Sequence, residues 1–188
     1  MVITDRRIQV AVAVGRVVIG IIFLWAGLEK LVGSTGWTAA GFLGHATSGT
    51  LGWPFVGPDA KGPFNPTMDV WVGLSKNSAA MTLVNVLVVW GELGIGVSLV
   101  LGLFTRFGAA VGTLMMLLFF VAAWDWAFGI VNQHLTYAVV TFGLAVIGAG
   151  NYFGLDAAFA AQAPRWFRLW FMSGDVPETE VTGSYSPA

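Results

Sequence analysis

Four stretches of this sequence are apolar on all sides for close to the length a bilayer demands. Crossing the hydrocarbon core takes about 20 predominantly apolar residues in a helix. Residues 8–32, 79–104 and 107–128 reach that length, and a fourth stretch over 135–149 reaches it if its helix starts near residue 130. The pattern predicts an all-α integral membrane protein, a bundle of four transmembrane helices over about 8–32, 79–104, 107–128 and 130–149. The first stretch is longer than the apolar core of a cleaved signal peptide, and no small-residue cleavage site follows it, so it reads as a retained helix.

The segments between the spans differ in character. Residues 33–78 form a long connection rich in Gly and Pro that also carries Trp37, Phe42, Trp53, Phe55, Phe64 and Trp71. So many aromatics do not suit a solvated linker, and Pro54, Pro58, Pro63 and Pro66 forbid one continuous helix. The expectation is a structured outer loop, folded back as short helices over the mouth of the bundle. After the fourth span, residues 159–172 include a run that alternates cationic and aromatic side chains from Arg165 to Phe171, as in a segment lying in the headgroup region. Residues 1–172 thus form one membrane domain. Residues 173–188 are polar and acidic without apolar period and are expected to be a disordered tail.

Positive charge sets orientation. Arg6 and Arg7 precede the first span, Arg106 sits in the turn between the second and third, and Arg165 and Arg168 follow the fourth. The opposite side holds Lys61 and Lys76, offset by Asp59 and Asp69, with Lys30 at the membrane edge. Both termini are therefore expected in the cytoplasm.

Composition narrows the chemistry. Of 188 residues, 56% are hydrophobic and 10% charged, against about a quarter charged in a soluble domain. A net charge of −1 gives no attraction for nucleic acid. With no cysteine there are no disulfides, thiolate metal sites or thiol relays. Only two histidines, His45 and His134, are present, so no metal or haem site is expected. Redox chemistry would need a quinone or a partner subunit. No Walker loop, dinucleotide glycine fingerprint or HExxH motif occurs.

Ionisable groups within a span cost several kcal/mol and are functional candidates by default. Arg16 lies about two turns into the first span, roughly 9 Å deep at ~1.5 Å per residue, and Glu92 lies near the middle of the second. An Arg16–Glu92 pair would neutralise both charges, either as architecture or as a proton-exchanging site in which Arg16 holds Glu92 ionised. Arg16, Phe23 and Lys30 recur every seven residues and share a helix face, as do Asn85 and Glu92. Asp125, between Trp124 and Trp126, and His134 stand at the same outer level. The candidate catalytic residues are Glu92, Arg16, His134 and Asp125, and Lys30 and Asn85 are candidates for substrate binding. Each has a plainer reading: an ion pair that holds the bundle together, a lysine reaching to the headgroups, interfacial polar groups. Gly108 and Gly112, with Gly15, Gly20, Gly27, Gly91, Gly94 and Gly96, provide small surfaces for close helix packing within the chain or between copies.

Three segments carry a family resemblance: Gly15-Arg16 with Gly20 and Trp25-Ala26-Gly27-Leu28-Glu29-Lys30; Glu92-Leu93-Gly94-Ile95-Gly96 running into Gly102-Leu103-Phe104-Thr105-Arg106 and Gly108; and Gly148-Ala149-Gly150-Asn151-Tyr152-Phe153-Gly154-Leu155-Asp156. In this order and spacing the sequence resembles the DoxX/DoxD family of small prokaryotic membrane proteins, and the long outer loop and Trp124-Asp125-Trp126 look more like the DoxD branch. The resemblance implies a multi-pass protein of the prokaryotic cytoplasmic membrane. It implies a subunit of a thiosulfate:quinone oxidoreductase, which oxidises thiosulfate or another small sulfur compound and passes the electrons to membrane quinone, together with partner subunits. A non-catalytic accessory subunit of a respiratory or redox complex stands as the alternative.

Overall fold

The computed structural model describes residues 3–33, 36–45, 65, 67–123 and 132–173. All regular structure among these residues is helical. In chain order the helices are α1 (Arg6–Val32), α2 (Ala39–His45), α3 (Met68–Ser75), α4 (Ser78–Leu101), α5 (Thr105–Ala122), α6 (Gln133–Ile147), α7 (Leu155–Phe159) and α8 (Arg165–Phe171), with a 3-10 turn at Ala149–Asn151. Helices α1, α4 and α5 are long and apolar enough to cross a membrane, and α6 is a shorter apolar helix of 15 residues.

The ends of these helices follow local chemistry. Asp5 accepts a hydrogen bond from Arg7 N and starts α1; Asn77 does the same for α4 through Ala80 N, and Asn132 for α6 through Leu135 N. An Asn or Asp in that position satisfies a backbone donor that the helix leaves open. At the other ends, Gly102 (φ 66°) and Gly148 (φ 69°) take the left-handed conformation that stops α4 and α6. Gly102 ends the second helix three residues before the apolar run does, and Gly148 holds α6 to roughly 22 Å, short of the ~30 Å core.

The helices form a ring in which α1 packs along α4, α4 against α5, and α5 along α6, while α1 and α6 touch least. Glycine permits the tightest of these approaches. A Cβ on Gly96 would stand 2.7 Å from Leu24 N, and one on Gly20 2.8 Å from Val100 N, so α1 and α4 meet backbone to backbone. Gly108 and Gly112 face Ser98 and Ile95 of α4, which makes the GxxxG pair an internal contact. By contrast Gly15 and Gly94 have open space around them.

Polarity is inverted relative to a water-soluble bundle. Arg16, Glu92, Thr105, Thr141 and Asp156 are buried, while Val14, Val18, Trp25, Leu87, Trp90, Leu114, Leu118, Val139 and Phe142 are exposed. Apolar side chains facing outward along helices whose backbone bonds are internally satisfied belong in lipid. The chain is a multi-pass membrane protein.

The two ends of the bundle are distinct. At the loop end, α2 and α3 lie over α4 and α5: Leu43, Met81 and Ala122 form a small core, with Phe42, Trp71 and Leu74 packed on it. Asn65 fastens this cover by donating to Val121 O and Ala122 O, the open carbonyls at the end of α5, at 3.0 Å each. Residues 46–64, which hold much of the aromatic content of the connection, lie outside the described residues. At the tail end, α8 packs through Phe167 and Phe171 on Phe104 and Phe107, with Trp166 and Trp170 exposed. Residues 174–188, the rest of the expected tail, are outside the described residues.

Candidate functional site

Helix α1 delivers Arg16, Phe23 and Lys30 to the inside of the ring; Arg16 and Phe23 are 1% and 3% exposed. Lys30 stands near the loop end of α1, yet its side chain turns back into the bundle. Its Nζ donates to Glu92 Oε1 at 2.9 Å, to Glu92 Oε2 at 2.8 Å, and to Ala26 O, one turn earlier on its own helix, at 3.2 Å. An ammonium has three donors, and all three are used. The ring of Trp37 lies 5.3 Å from the same Nζ and shields it. Glu92 is 3% exposed against 19% for Lys30, so the carboxylate is the deeper partner of the ion pair.

The pair forms one wall of a cavity of about 320 Å³ in the loop half of the bundle. Phe23, Met116, Phe42 and Phe119 give it apolar surfaces, and α6 contributes Gln133, His134 and Tyr137 opposite the pair. His134 sets its ring edge-on to Phe42 and Phe119, at centroid distances of 6.2 and 5.7 Å. An apolar chamber with a few convergent polar groups is the usual form of a small-molecule site.

The structure brings together some of the residues singled out in the sequence and separates others. Lys30, Glu92 and His134 line the same cavity. Arg16 does not join them, and the expected Arg16–Glu92 pair does not form. Arg16 Nη2 donates to Phe153 O at 3.2 Å, and the guanidinium lies against Gly102 and Gly154 at the tail end. Glu92 is ten positions earlier on α4 than Gly102, roughly 15 Å along the helix. Helix depth gave both residues as buried, but Arg16 extends away from the midplane while Lys30 extends toward it.

Asn85 shares the Glu92 face of α4 but serves the cover. Its Oδ1 accepts from Ala39 N at 2.8 Å and its Nδ2 donates to Thr38 Oγ1 at 3.3 Å, which holds the start of α2 and positions Trp37 beside Lys30. Asp125 lies outside the described residues, as do Trp124 and Trp126. Trp37, Phe42, Phe119, Gln133 and Tyr137 were not singled out as site residues. Tyr137 follows His134 by three and Gln133 by four, the spacing of one helix face, and that signal was available.

A second polar cluster lies at the tail end. Asp156 is fully buried; its Oδ1 accepts from Phe104 N at 2.7 Å, and its Oδ2 accepts from Thr105 N at 3.0 Å and Ser173 Oγ at 3.0 Å. Ser173 Oγ in turn accepts from Gly150 N. A Cβ on Gly150 would collide with Asp156, Thr105 and Ser173. One carboxylate thus caps α5 and ties it to the chain on both sides of α7. Among the described residues, no group of three His, Cys, Asp or Glu converges to hold a metal ion.

A family model described as DoxX matches residues 11–125, more than half of the chain, which takes in most of α1, all of α2 to α5 and both members of the Lys30–Glu92 pair. No curated protein and no solved structure matches the chain.

Proposed function

The chain belongs to the DoxX family, and from that membership and the buried ion pair we propose that it is a DoxD-like membrane subunit of a quinone-linked oxidoreductase, with the quinone ring in the Lys30–Glu92 cavity. In this reading α6 completes four spans, and the arginines at residues 6, 7, 106, 165 and 168 hold both termini in the cytoplasm of a prokaryote. The cover made by α2 and α3 then faces outward.

The observation that carries the proposal is a fully bonded ion pair forming the wall of a mainly apolar, ring-sized cavity. The lining suits a quinone: aromatic side chains at Phe23, Phe42 and Phe119, with hydrogen-bonding groups at Lys30, Gln133, His134 and Tyr137. Reduction of a quinone to a quinol takes two electrons and two protons. Lys30, by exchanging its bond to Ala26 O, donates to a carbonyl oxygen on which negative charge builds. Glu92 keeps the ammonium charged and in place and, with His134, passes protons to the site. Asp125 is the further group expected at this level. Two electrons are released when two thiosulfates join as tetrathionate. With no cysteine in this chain, we assign the sulfur chemistry to partner subunits.

The accessory-subunit reading has its own observation. Every Lys30 donor is already satisfied within the protein, as a purely architectural pair requires. The test is thiosulfate-dependent quinol formation by the assembly purified from its native membrane. The quinone reading predicts activity that falls by at least about tenfold, ~1.4 kcal/mol in barrier, in the Glu92→Gln assembly. Unchanged turnover in an intact assembly would leave Lys30 and Glu92 as architecture.

A further inference from the structure

Behind the aromatic wall of the cavity lies a second, larger hollow of about 730 Å³, and nearly all of its lining is apolar. It is a groove between α4 and α5, walled by Leu87 and Trp90 on one side and Leu114 and Leu118 on the other, all well exposed to the surrounding membrane. Gly91 leaves room at its floor beside Met115, since a Cβ there would strike the methionine methyl 2.5 Å away. Leu43, Trp71 and Leu74 of α2 and α3 roof its loop end. Trp37, Phe42 and Phe119 line both hollows.

We propose that this groove holds the hydrocarbon tail of the molecule whose ring occupies the Lys30–Glu92 cavity, so that the site selects long-chain quinones; the inference rests on the quinone reading above. Three observations commit the groove to that occupant. Its surface offers almost nothing to water or to a polar substrate, so its content is hydrocarbon. The roof of α2 and α3 covers the end at which an acyl chain hanging from a headgroup would enter, which leaves the lateral face and the aromatic wall as openings among the described residues. The same three aromatics line both hollows, and Phe42 and Phe119 stand 5.6 Å apart between centroids, so side chains and not backbone separate the two spaces there. A ring-sized polar chamber beside a chain-length apolar groove matches an amphipathic ligand with a small head and a long tail. Because lipid is itself a good solvent for the tail, the groove adds shape and confinement and little hydrophobic gain.

The test uses the full chain in lipid nanodiscs and a quinone whose long isoprenoid chain ends in a photoreactive diazirine. Illumination followed by peptide mass spectrometry is expected to place adducts on residues 86–91 and 111–118. Excess tail-less quinone is expected to reduce them by about tenfold, a shift of ~1.4 kcal/mol in occupancy. Leu118→Trp, at a position already half open to lipid, fills the groove and is expected to remove the adducts while binding of the tail-less ring, measured separately, persists. Adducts spread evenly to Val18 or Val139 on the lipid-facing surface overturn the inference, as do groove adducts that the tail-less ring fails to displace, which mark an ordinary lipid chain. If the tail-less ring binds in those cases, the quinone reading survives alone. If it does not bind the native protein at all, both fall.

Discussion

Lys30 and Glu92 show how a membrane interior tolerates two charges: one long side chain reaches a buried carboxylate, and every donor finds an acceptor. Removing one partner of a buried pair leaves the other uncompensated and costs about 3 kcal/mol or more, whereas replacing both with apolar groups of similar size is close to neutral. Glu92→Gln is therefore expected to lower the thermal midpoint in detergent clearly, and Lys30→Met/Glu92→Leu to restore most of it. If the double variant were as unstable as the single, the pair would be contributing through its shape and not its charge. Asp156→Ala removes the acceptor for four donors, Phe104 N, Thr105 N, Ser173 N and Ser173 Oγ, and should cost about 2–4 kcal/mol. The identity of the buried charges was legible in the sequence, since Arg16 and Glu92 fall inside apolar runs. Their partners were not, because the reach of a lysine or arginine allows either direction along the bundle. Asp156 follows the fourth apolar stretch, and no local pattern shows that the chain around α7 folds back to bring it to Phe104 and Thr105.

The first two long helices followed the hydrophobic pattern closely, whereas the third ends at Ala122 and the fourth covers only Gln133–Ile147. The spans expected at 8–32 and 79–104 appear as Arg6–Val32 and Ser78–Leu101, and Gly102 accounts for the earlier stop of the second. The third starts at Thr105 because the turn is held by Asp156 from elsewhere in the chain, a constraint no local pattern carries. Close packing of α1 on α4 depends on the absence of side chains at Gly20 and Gly96. Gly96→Leu would drive backbone away from backbone and should prevent a stable bundle, seen as loss of the monodisperse species in size-exclusion chromatography. Gly94→Ala, facing open space two residues away, should be neutral or stabilising by up to ~1 kcal/mol. Equal behaviour of the two variants would contradict the α1–α4 contact described here.

The exposed leucines, valines and tryptophans around a polar interior place the helical bundle in a membrane, and composition alone pointed there. Orientation is a separate matter that arginine placement addresses. The sequence has no cysteine, so Lys76→Cys and Gln162→Cys each create a sole thiol on opposite ends of the bundle. In intact cells a membrane-impermeant maleimide is expected to modify Cys introduced at position 76 and to reach position 162 only after lysis; the reverse pattern would invert the topology. The cavity itself was only partly legible, because the residues that close it come from α2 and α6, whose approach to α1 depends on the whole ring. The central claim is that this cavity holds a quinone, and the most direct measurement is mass spectrometry of the small molecules extracted from the protein purified out of its native membrane. The account predicts roughly one quinone per chain in the native protein and its loss from Lys30→Met/Glu92→Leu prepared at equal stability. No quinone in the native protein, or equal amounts in both, would contradict it.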